Sequence, residues 1–271
     1  VAGSGVDHIC LRSEPVVAGR RKPGMELIVI ALGLSLIMTA AWAVQRVSRA
    51  SGWIDVIWSL AVGIGGVAAT VLPGDGSLLR KGLVGVLVAV WAVRLGWHIA
   101  ARTHGGDDDP RYAKLMRDWG PKAVLHLFIF LQIQALAAFV LVLAVRLAAV
   151  NPRPVGIMDA CGIIIVLTAI AGEAVADAQL RNFSSKNKEM VCDVGLWKWS
   201  RHPNYFFEWL GWVGWAVMAS GQPWGWLAWG APALMYYLLV FASGIPPLEA
   251  HMLATRGDAF RAYQARTNAF F

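Results

Sequence analysis

Several ionisable side chains lie in or beside long apolar runs of this sequence, where such groups are costly and usually serve a function. The densest stretch covers 173–208. Glu173, Asp177 and Arg181 follow one another at four-residue intervals and therefore share one face of a helix. The rest of the stretch adds these polar side chains: Lys186, Lys188, Arg201, His202, Asn204, Tyr205 and Glu208.

The residue types in this stretch are those that bind a nucleotide. Cations near a helix N-terminus bind phosphate groups. Carboxylates and Asn bind ribose hydroxyls and the polar edges of a base or a carboxamide. We therefore predict a nucleotide cofactor at the cytoplasmic face. The alternative is a basic loop that contacts lipid headgroups, but such a loop gains nothing from acids at 173, 177 and 208.

A second set of polar groups lies in the apolar runs nearer the N-terminus. Asp55 lies between Trp53 and Trp58, Arg94 and His98 are one helical turn apart, and Gln132 lies in a later run. Desolvation favours the neutral form of a carboxyl group in a membrane interior, and a neutral carboxylic acid donates a hydrogen bond to a carbonyl oxygen. Asp55 is thus predicted to polarise a substrate carbonyl, unless it pairs with Arg94, in which case it stays ionised and structural.

The composition excludes several classes of protein. Of the 271 residues, 57% are hydrophobic and only 15% are charged, which rules out a soluble globular domain or a disordered chain. Three cysteines do not form a disulfide framework, and the six histidines lack metal-ligand spacing. The net charge of +7 is attributed to loops near anionic lipid. We expect neither a metal nor a nucleic acid as partner.

The apolar runs have the length of membrane-spanning helices. Residues 1–24 are predicted to be an N-terminal extension, with Met25 as the natural start, and residues 25–271 to form one domain. Loops on the side that carries 177–204 hold most Lys and Arg residues, which predicts that this side is cytoplasmic and the N-terminus outside. The fold class is therefore all-α and membrane-embedded, with seven predicted spans at 25–44, 53–72, 82–101, 123–145, 156–176, 205–219 and 224–243.

Four segments together resemble a known family. They are Ser200–Glu208 (SRHPNYFFE), Glu173-x-x-x-Asp177-x-Gln179, Gly195-Leu196-Trp197, and Ser243–Glu249 (SGIPPLE) followed by Phe260-x-x-Tyr263. In this order and spacing they resemble the membrane-embedded steroid 5α-reductases, in their bacterial DUF1295-type branch, over about the C-terminal half. Sterol C14/C7 reductases share the Arg-His-Pro-Asn-Tyr motif, and isoprenylcysteine methyltransferases carry a similar one. These two classes remain alternatives, and a lipid-binding scaffold is a third.

The resemblance implies a monomeric seven-helix reductase of the cytoplasmic membrane that uses NADPH. Its substrate class would be 3-oxo-4-ene steroids or a similar enone lipid. The family's cofactor positions fall here on Glu173, Asp177, Arg181, Arg201, His202, Asn204, Tyr205, Glu208 and Glu249. Better-known members have Asn where Glu173 stands. The 2′-phosphate would be bound by one or more of Arg181, Lys186, Lys188 and Arg201.

The substrate side departs from the family pattern. Eukaryotic members carry an adjacent Gln-Glu pair on the second span and a Tyr on the third, whereas this chain has Asp55 without a preceding Gln, and Trp91 at the Tyr position. We predict Asp55 and Arg94 as catalytic residues. The predicted substrate-binding residues are Trp53, Trp58, Trp91 and Gln132.

Overall fold

The computed structural model describes residues 23–104, 109–187 and 190–270. Within them the chain forms nine α-helices and no regular β-strand. The helices are α1 (Pro23–Ser48), α2 (Gly52–Val71), α3 (Leu78–His104), α4 (Pro110–Trp119), α5 (Ala123–Ala149), α6 (Ile157–Lys186), α7 (Pro203–Ala219), α8 (Gly230–Tyr237) and α9 (Ile245–Arg266). Short 3₁₀ turns lie at Gly120–Lys122, Gly195–Lys198 and Gly225–Trp229, and a π-helical turn lies at Leu238–Ala242.

Six helical segments of the described chain are long and apolar enough to cross a membrane. Lipid offers no partner for backbone N–H and C=O groups, so such segments are stable there only as helices. The chain is therefore an all-α, multi-pass membrane protein. The six segments are Gly24–Ser48, Gly52–Val71, Leu78–His104, Arg111–Ala149, Ile157–Lys186 and Gly225–Arg266.

The six segments are one fewer than the seven predicted spans. The predicted span at 205–219 falls on α7, which has only 17 residues. The predicted span at 224–243 is a 3₁₀ turn, the short helix α8 and a π-helical turn, joined to α9 in one long segment. Most of the predicted extension lies outside the described residues, and α1 begins at Pro23.

Small residues let the central helices approach closely. A Cβ atom on Gly63 of α2 would lie 2.3 Å from the Cβ of Ala92 on α3, so only glycine fits there. At the α6–α7 crossing, a Cβ atom on Gly214 would lie 2.9 Å from the carbonyl oxygen of Gly162. The outer faces of α1, α3, α5 and α6 instead expose large apolar side chains, such as Leu32 and Ile164. In water these faces would be costly, and in a bilayer they contact acyl chains.

Helices α3 and α6 run in the same direction and are joined by ion pairs at two levels. Near their N-terminal ends the buried Arg80 binds Asp159 through two hydrogen bonds of 2.7 and 2.6 Å. Fourteen residues further along each helix, about 21 Å at 1.5 Å per residue, Arg94 meets Glu173. The two pairs fix the relative register of α3 and α6.

Candidate functional site

Arg94 is the centre of a buried network between α3, α6 and α7. Its Nη1 atom lies 2.6 Å from Oε2 of Glu173, and its Nη2 atom donates to Asp177. His98, one turn further along α3, lies 3.6 Å from the same Asp177 carboxylate. From α7, Asn204 donates to the other Asp177 oxygen at 3.4 Å. The network thus joins five polar side chains that the sequence analysis selected on three separate helices.

Glu208 of α7 completes this network on its apolar side. Its two carboxyl oxygens accept hydrogen bonds from the indole N–H groups of Trp91 at 2.9 Å and Trp212 at 2.8 Å. Glu173 and Glu208 both line a small cavity of about 10 Å³. Most of its remaining lining is apolar and includes four aromatic side chains: Trp91, Phe207, Trp212 and Trp215. The cavity is therefore lined by carboxyl groups on one side and by aromatic side chains on the other.

A second network joins the start of α7 to α9. Arg201 binds Glu249 through Nε at 2.7 Å and Nη2 at 3.2 Å, and it also donates to the carbonyl oxygen of Thr267. His202 Nε2 lies 3.0 Å from Glu249 Oε1. Burial lowers the pKa of His202 despite the hydrogen bond to Glu249, so the ring is neutral at pH 7 and Nε2–H donates. The Arg201 guanidinium is therefore engaged by the protein itself.

The backbone around this network is fixed by the motif residues that carried the resemblance. Gln179 of α6 accepts a hydrogen bond from the backbone N–H of Leu196 at 2.9 Å. Gly195 has a φ of +61°, and a Cβ there would lie 2.6 Å from the Gln179 side chain. The hydroxyl of Tyr263 donates to the carbonyl oxygen of Trp197. These contacts fasten the turn at Gly195–Lys198 onto α6 and α9.

A third network surrounds Asp55. Arg111 donates to Asp55 Oδ2 at 2.5 Å, and the buried Tyr112 hydroxyl donates to Oδ1 at 2.8 Å. Arg111 is also bound by Asp109, at 2.8 and 3.0 Å. The Gln134 amide donates to the Tyr112 oxygen at 3.2 Å. Both partners of Asp55 come from α4, and an ion-paired carboxylate accepts hydrogen bonds instead of donating one.

The structure shows which partners Asp55 and Arg94 have. The two residues do not pair with each other, since Arg94 binds Glu173 and Asp177 while Asp55 binds Arg111. The sequence analysis did not identify Arg111 or Tyr112. The available signal was Asp109-Pro110, because Asp at the N-cap and Pro in the first turn mark the start of a helix.

Asp109 acts as that cap and as a charge partner. Its side chain accepts a hydrogen bond from the backbone N–H of Arg111 at 2.9 Å. Burial alone would raise the pKa of Asp109, but the hydrogen bonds and charge of Arg111 outweigh it and lower the pKa. Asp109 therefore remains ionised and helps to hold the Arg111 side chain against Asp55.

Tyr205 lies between the Arg201–Glu249 network and the Asp55 network at one end of the bundle. Its ring stacks on His202 with a centroid distance of 5.5 Å and an interplanar angle of 12°. Arg111 and Asp55 are close enough to Tyr205 to act on it electrostatically. The same end of the bundle therefore holds the Asp55 network and the predicted cofactor positions on α6 and α7.

Three predicted site residues, Gln132, Trp53 and Arg181, are not joined to these networks by any hydrogen bond or ion pair in the described chain, whereas Trp58 contacts the Asp55 network through the backbone of Gln134. Gln132 binds Ser35 and Thr39 of α1, at 2.6 and 3.3 Å, and so ties α1 to α5. Trp58 donates to the backbone oxygen of Gln134 at 3.1 Å. Trp53 is half-buried, and Arg181 is exposed near the end of α6. Lys188 lies outside the described residues. The described chain contains no group of three or more His, Cys, Asp or Glu side chains able to hold a metal ion.

Comparison with known families gives one match. The model of a family described as "Protein of unknown function (DUF1295)" matches residues 41–267, which include all three networks. Searches of curated proteins and of solved structures found no match.

Proposed function

We propose that this chain, which belongs to the DUF1295 family, is an NADPH-dependent reductase of 3-oxo-4-ene steroids or a similar enone lipid, of the steroid 5α-reductase type. The observation that carries the proposal is the Arg94 network. It joins Glu173, Asp177 and Asn204 to a cavity with aromatic walls. A nucleotide needs polar partners and an apolar lipid needs aromatic walls, and here the two adjoin at one end of a membrane bundle.

The side chains present fit a dinucleotide. Asp177 and Glu208 offer carboxylate oxygens to amide or hydroxyl donors, and Asn204 offers both a donor and an acceptor. Arg181 and Lys186 are exposed at the end of α6, where they are available to the phosphates. When bound, NADPH supplies a hydride for the β-carbon of the enone. The chain itself would bind the cofactor, exclude water and stabilise the charge that develops on the carbonyl oxygen.

We place the carbonyl group of the substrate beside the Asp55 network. Because Asp55 is ion-paired with Arg111 and accepts the single hydroxyl hydrogen of Tyr112, the donor that this network offers to a substrate carbonyl is the Arg111 guanidinium. We assign Asp55 the role of holding Arg111, in place of the neutral acid expected from the sequence. Trp53 and Trp58 on the same helix would flank the apolar body of the substrate.

The proposed topology has the N-terminus outside and the cofactor end in the cytoplasm of a bacterial cell. With α7 included, seven elements would cross the membrane. Its 17 residues span about 25 Å, slightly less than the hydrocarbon core, and α7 packs along α6. The basic residues 181–201 then lie on the cytoplasmic side, in agreement with the positive-inside rule.

A ligand-stabilisation experiment tests the cofactor. A ligand that binds only the folded state stabilises it by RT ln(1 + [L]/Kd) and so raises the apparent melting temperature. We expect NADPH to stabilise the purified full chain in detergent, with NADH giving a smaller shift and S-adenosylmethionine giving none. Stabilisation by S-adenosylmethionine and not by NADPH would instead identify a methyltransferase.

A further inference from the structure

A groove between the end of α4 and the first turns of α5 has no role in the proposed reduction. Its volume is about 240 Å³, and it is lined by one histidine and four apolar or aromatic side chains: Trp119, His126, Ile129, Phe130 and Ile133. Ile129 and Ile133 are 47% and 59% exposed, so the groove opens at the outer surface of the bundle. All five residues belong to the membrane-spanning segment Arg111–Ala149, where that outer surface faces lipid.

The groove has the length of one leaflet of a bilayer. Lys122 is the N-cap residue of α5, and His126, Ile129 and Ile133 follow it at intervals of four, three and four residues, so that the four share one helix face. From Lys122 to Ile133 the helix rises about 16 Å, close to half of a hydrocarbon core of about 30 Å. One extended acyl chain therefore fits along this face, with its headgroup at the Lys122 end.

The charges at the Lys122 end favour an anionic headgroup. Lys114, Arg117 and Lys122 are all exposed there. Lys114 is paired with Asp118 at 2.5 Å, whereas neither Arg117 nor Lys122 has an ion pair within the residues that the structure describes. Long basic side chains at helix ends extend to the phosphates of lipids. Two uncompensated positive charges beside an apolar groove are thus complementary to a phospholipid of net negative charge.

The groove also shares an aromatic wall with the Asp55 network. Helix α4 is short and amphipathic, and its apolar side places Tyr112, Met116 and Trp119 against the bundle. The Phe130 ring packs against both Trp119 and Tyr112, with centroid distances of 6.1 and 6.2 Å. A chain seated in the groove would therefore add apolar contacts to the cluster that holds α4, the helix that supplies both partners of Asp55.

We propose that an anionic phospholipid of the adjoining leaflet binds in this groove and holds α4 on the bundle. Arg117 and Lys122 bind its phosphate, and one acyl chain lies along the α5 face from His126 to Ile133. A zwitterionic phospholipid binds more weakly, because its ammonium group brings a third positive charge close to these two. The site is independent of the proposed reduction.

Native mass spectrometry of the purified full chain tests the headgroup contact. The chain in detergent would be titrated with phosphatidylglycerol and with phosphatidylcholine that carry the same acyl chains. We expect phosphatidylglycerol to bind at least about tenfold more tightly, the size of one or two basic contacts with an anionic lipid, and to raise the melting temperature.

The double variant Arg117→Gln with Lys122→Gln should bind phosphatidylglycerol about 30-fold more weakly, the size expected for the loss of two basic contacts with an anionic lipid. Both positions are exposed, so its melting temperature without added lipid should match that of the wild type. Lys198→Gln with Arg261→Gln removes two exposed cations elsewhere and should keep the wild-type affinity.

A groove-filling variant tests the acyl-chain contact. Ile129→Trp places a larger side chain in the groove and should weaken binding of both lipids, since apolar contact area is lost. Ile164→Trp, on the exposed face of α6, should leave binding unchanged. Equal affinities for the two lipids, or wild-type affinity in either groove variant, would overturn the proposal. Displacement of the lipid by a 3-oxo-4-ene steroid, or a dimer abolished by Ile129→Trp, would assign the groove to another occupant and overturn it as well.

Discussion

Asp55 is held by two neighbouring side chains of the short helix α4, Arg111 and Tyr112. This arrangement makes a conservative test of its role possible. In Asp55→Asn, Arg111 keeps its two hydrogen bonds to Asp109, so no isolated cation is left behind and the fold should persist. We expect kcat to fall by about 100-fold, the size typical of losing one transition-state contact, with NADPH binding unchanged.

The matched variants are Asp55→Leu and Tyr112→Phe. Asp55→Leu should lose at least as much activity as Asp55→Asn. Tyr112→Phe removes only the hydroxyl that donates to Asp55 and should lower kcat by a similar factor. Steady-state kinetics with saturating NADPH would measure all three variants. Turnover near the wild-type value in Asp55→Leu would exclude this network from the reaction.

On the proposed function, Arg181, which is exposed near the end of α6, is a candidate for the residue that selects NADPH over NADH. The sequence analysis gave it equal weight with Arg201, but Arg201 is engaged by Glu249 and by two backbone carbonyls. Arg181→Ala should therefore raise the KM for NADPH about tenfold, corresponding to about 1.4 kcal/mol, and leave the KM for NADH unchanged. Arg261→Ala, an exposed arginine on α9, is the control. Equal effects of Arg181→Ala on both cofactors would remove the assignment.

At the scale of elements, the Arg80–Asp159 ion pair holds the N-terminal ends of α3 and α6 together. Arg80 is fully buried and also donates to the carbonyl oxygens of Asn151 and Arg153, both at 2.5 Å. Removal of one partner leaves a buried charge unpaired, which costs about 3–5 kcal/mol. Arg80→Met should therefore lower the melting temperature by on the order of 10 °C.

The neighbouring Lys81 supplies the control for this experiment. Its ammonium group donates to a single exposed carbonyl oxygen, that of Gly74, so Lys81→Met should change stability very little. Adding Asp159→Leu to Arg80→Met removes the unpaired carboxylate and should recover part of the loss. Thermal unfolding in detergent compares the variants, and equal melting temperatures for Arg80→Met and Lys81→Met would contradict this role.

The elements that the sequence predicts well are those with long apolar runs. The predicted spans at 53–72 and 123–145 begin within one residue of α2 and α5. Helix α4 was missed because it is short and charged residues interrupt its apolar face.

Part of the site was predictable from residue spacing within a single helix. Helical spacing alone places Glu173 and Asp177 on one face, and the structure buries both. The partners of Asp55 and Arg94 were not predictable, since a pairing between helices depends on their packing and not on spacing along one chain. The Arg111–Asp55 pair, for instance, joins positions 56 residues apart.

At the scale of the whole molecule, the cavity beside Glu173 and Glu208 is small. Its volume of about 10 Å³ is far below the range of roughly 300–1,000 Å³ that drug-sized ligands usually occupy. A steroid and a nicotinamide ring together need more space than this. The proposed reduction therefore requires the bundle to widen between α3, α6 and α7.

The most direct test of the account is transfer of deuterium from NADPH to an enone. Purified full-length protein in detergent would be incubated with NADPH deuterated at the transferable C4 position and with testosterone or progesterone, and the products analysed by mass spectrometry and NMR. The account predicts a saturated 3-ketone that carries one deuterium at the former β-carbon, with the α-carbon hydrogen derived from solvent. If these and other 3-oxo-4-ene steroids and apolar enones remain unchanged, or if a product forms without deuterium from NADPH, the proposed reduction is wrong.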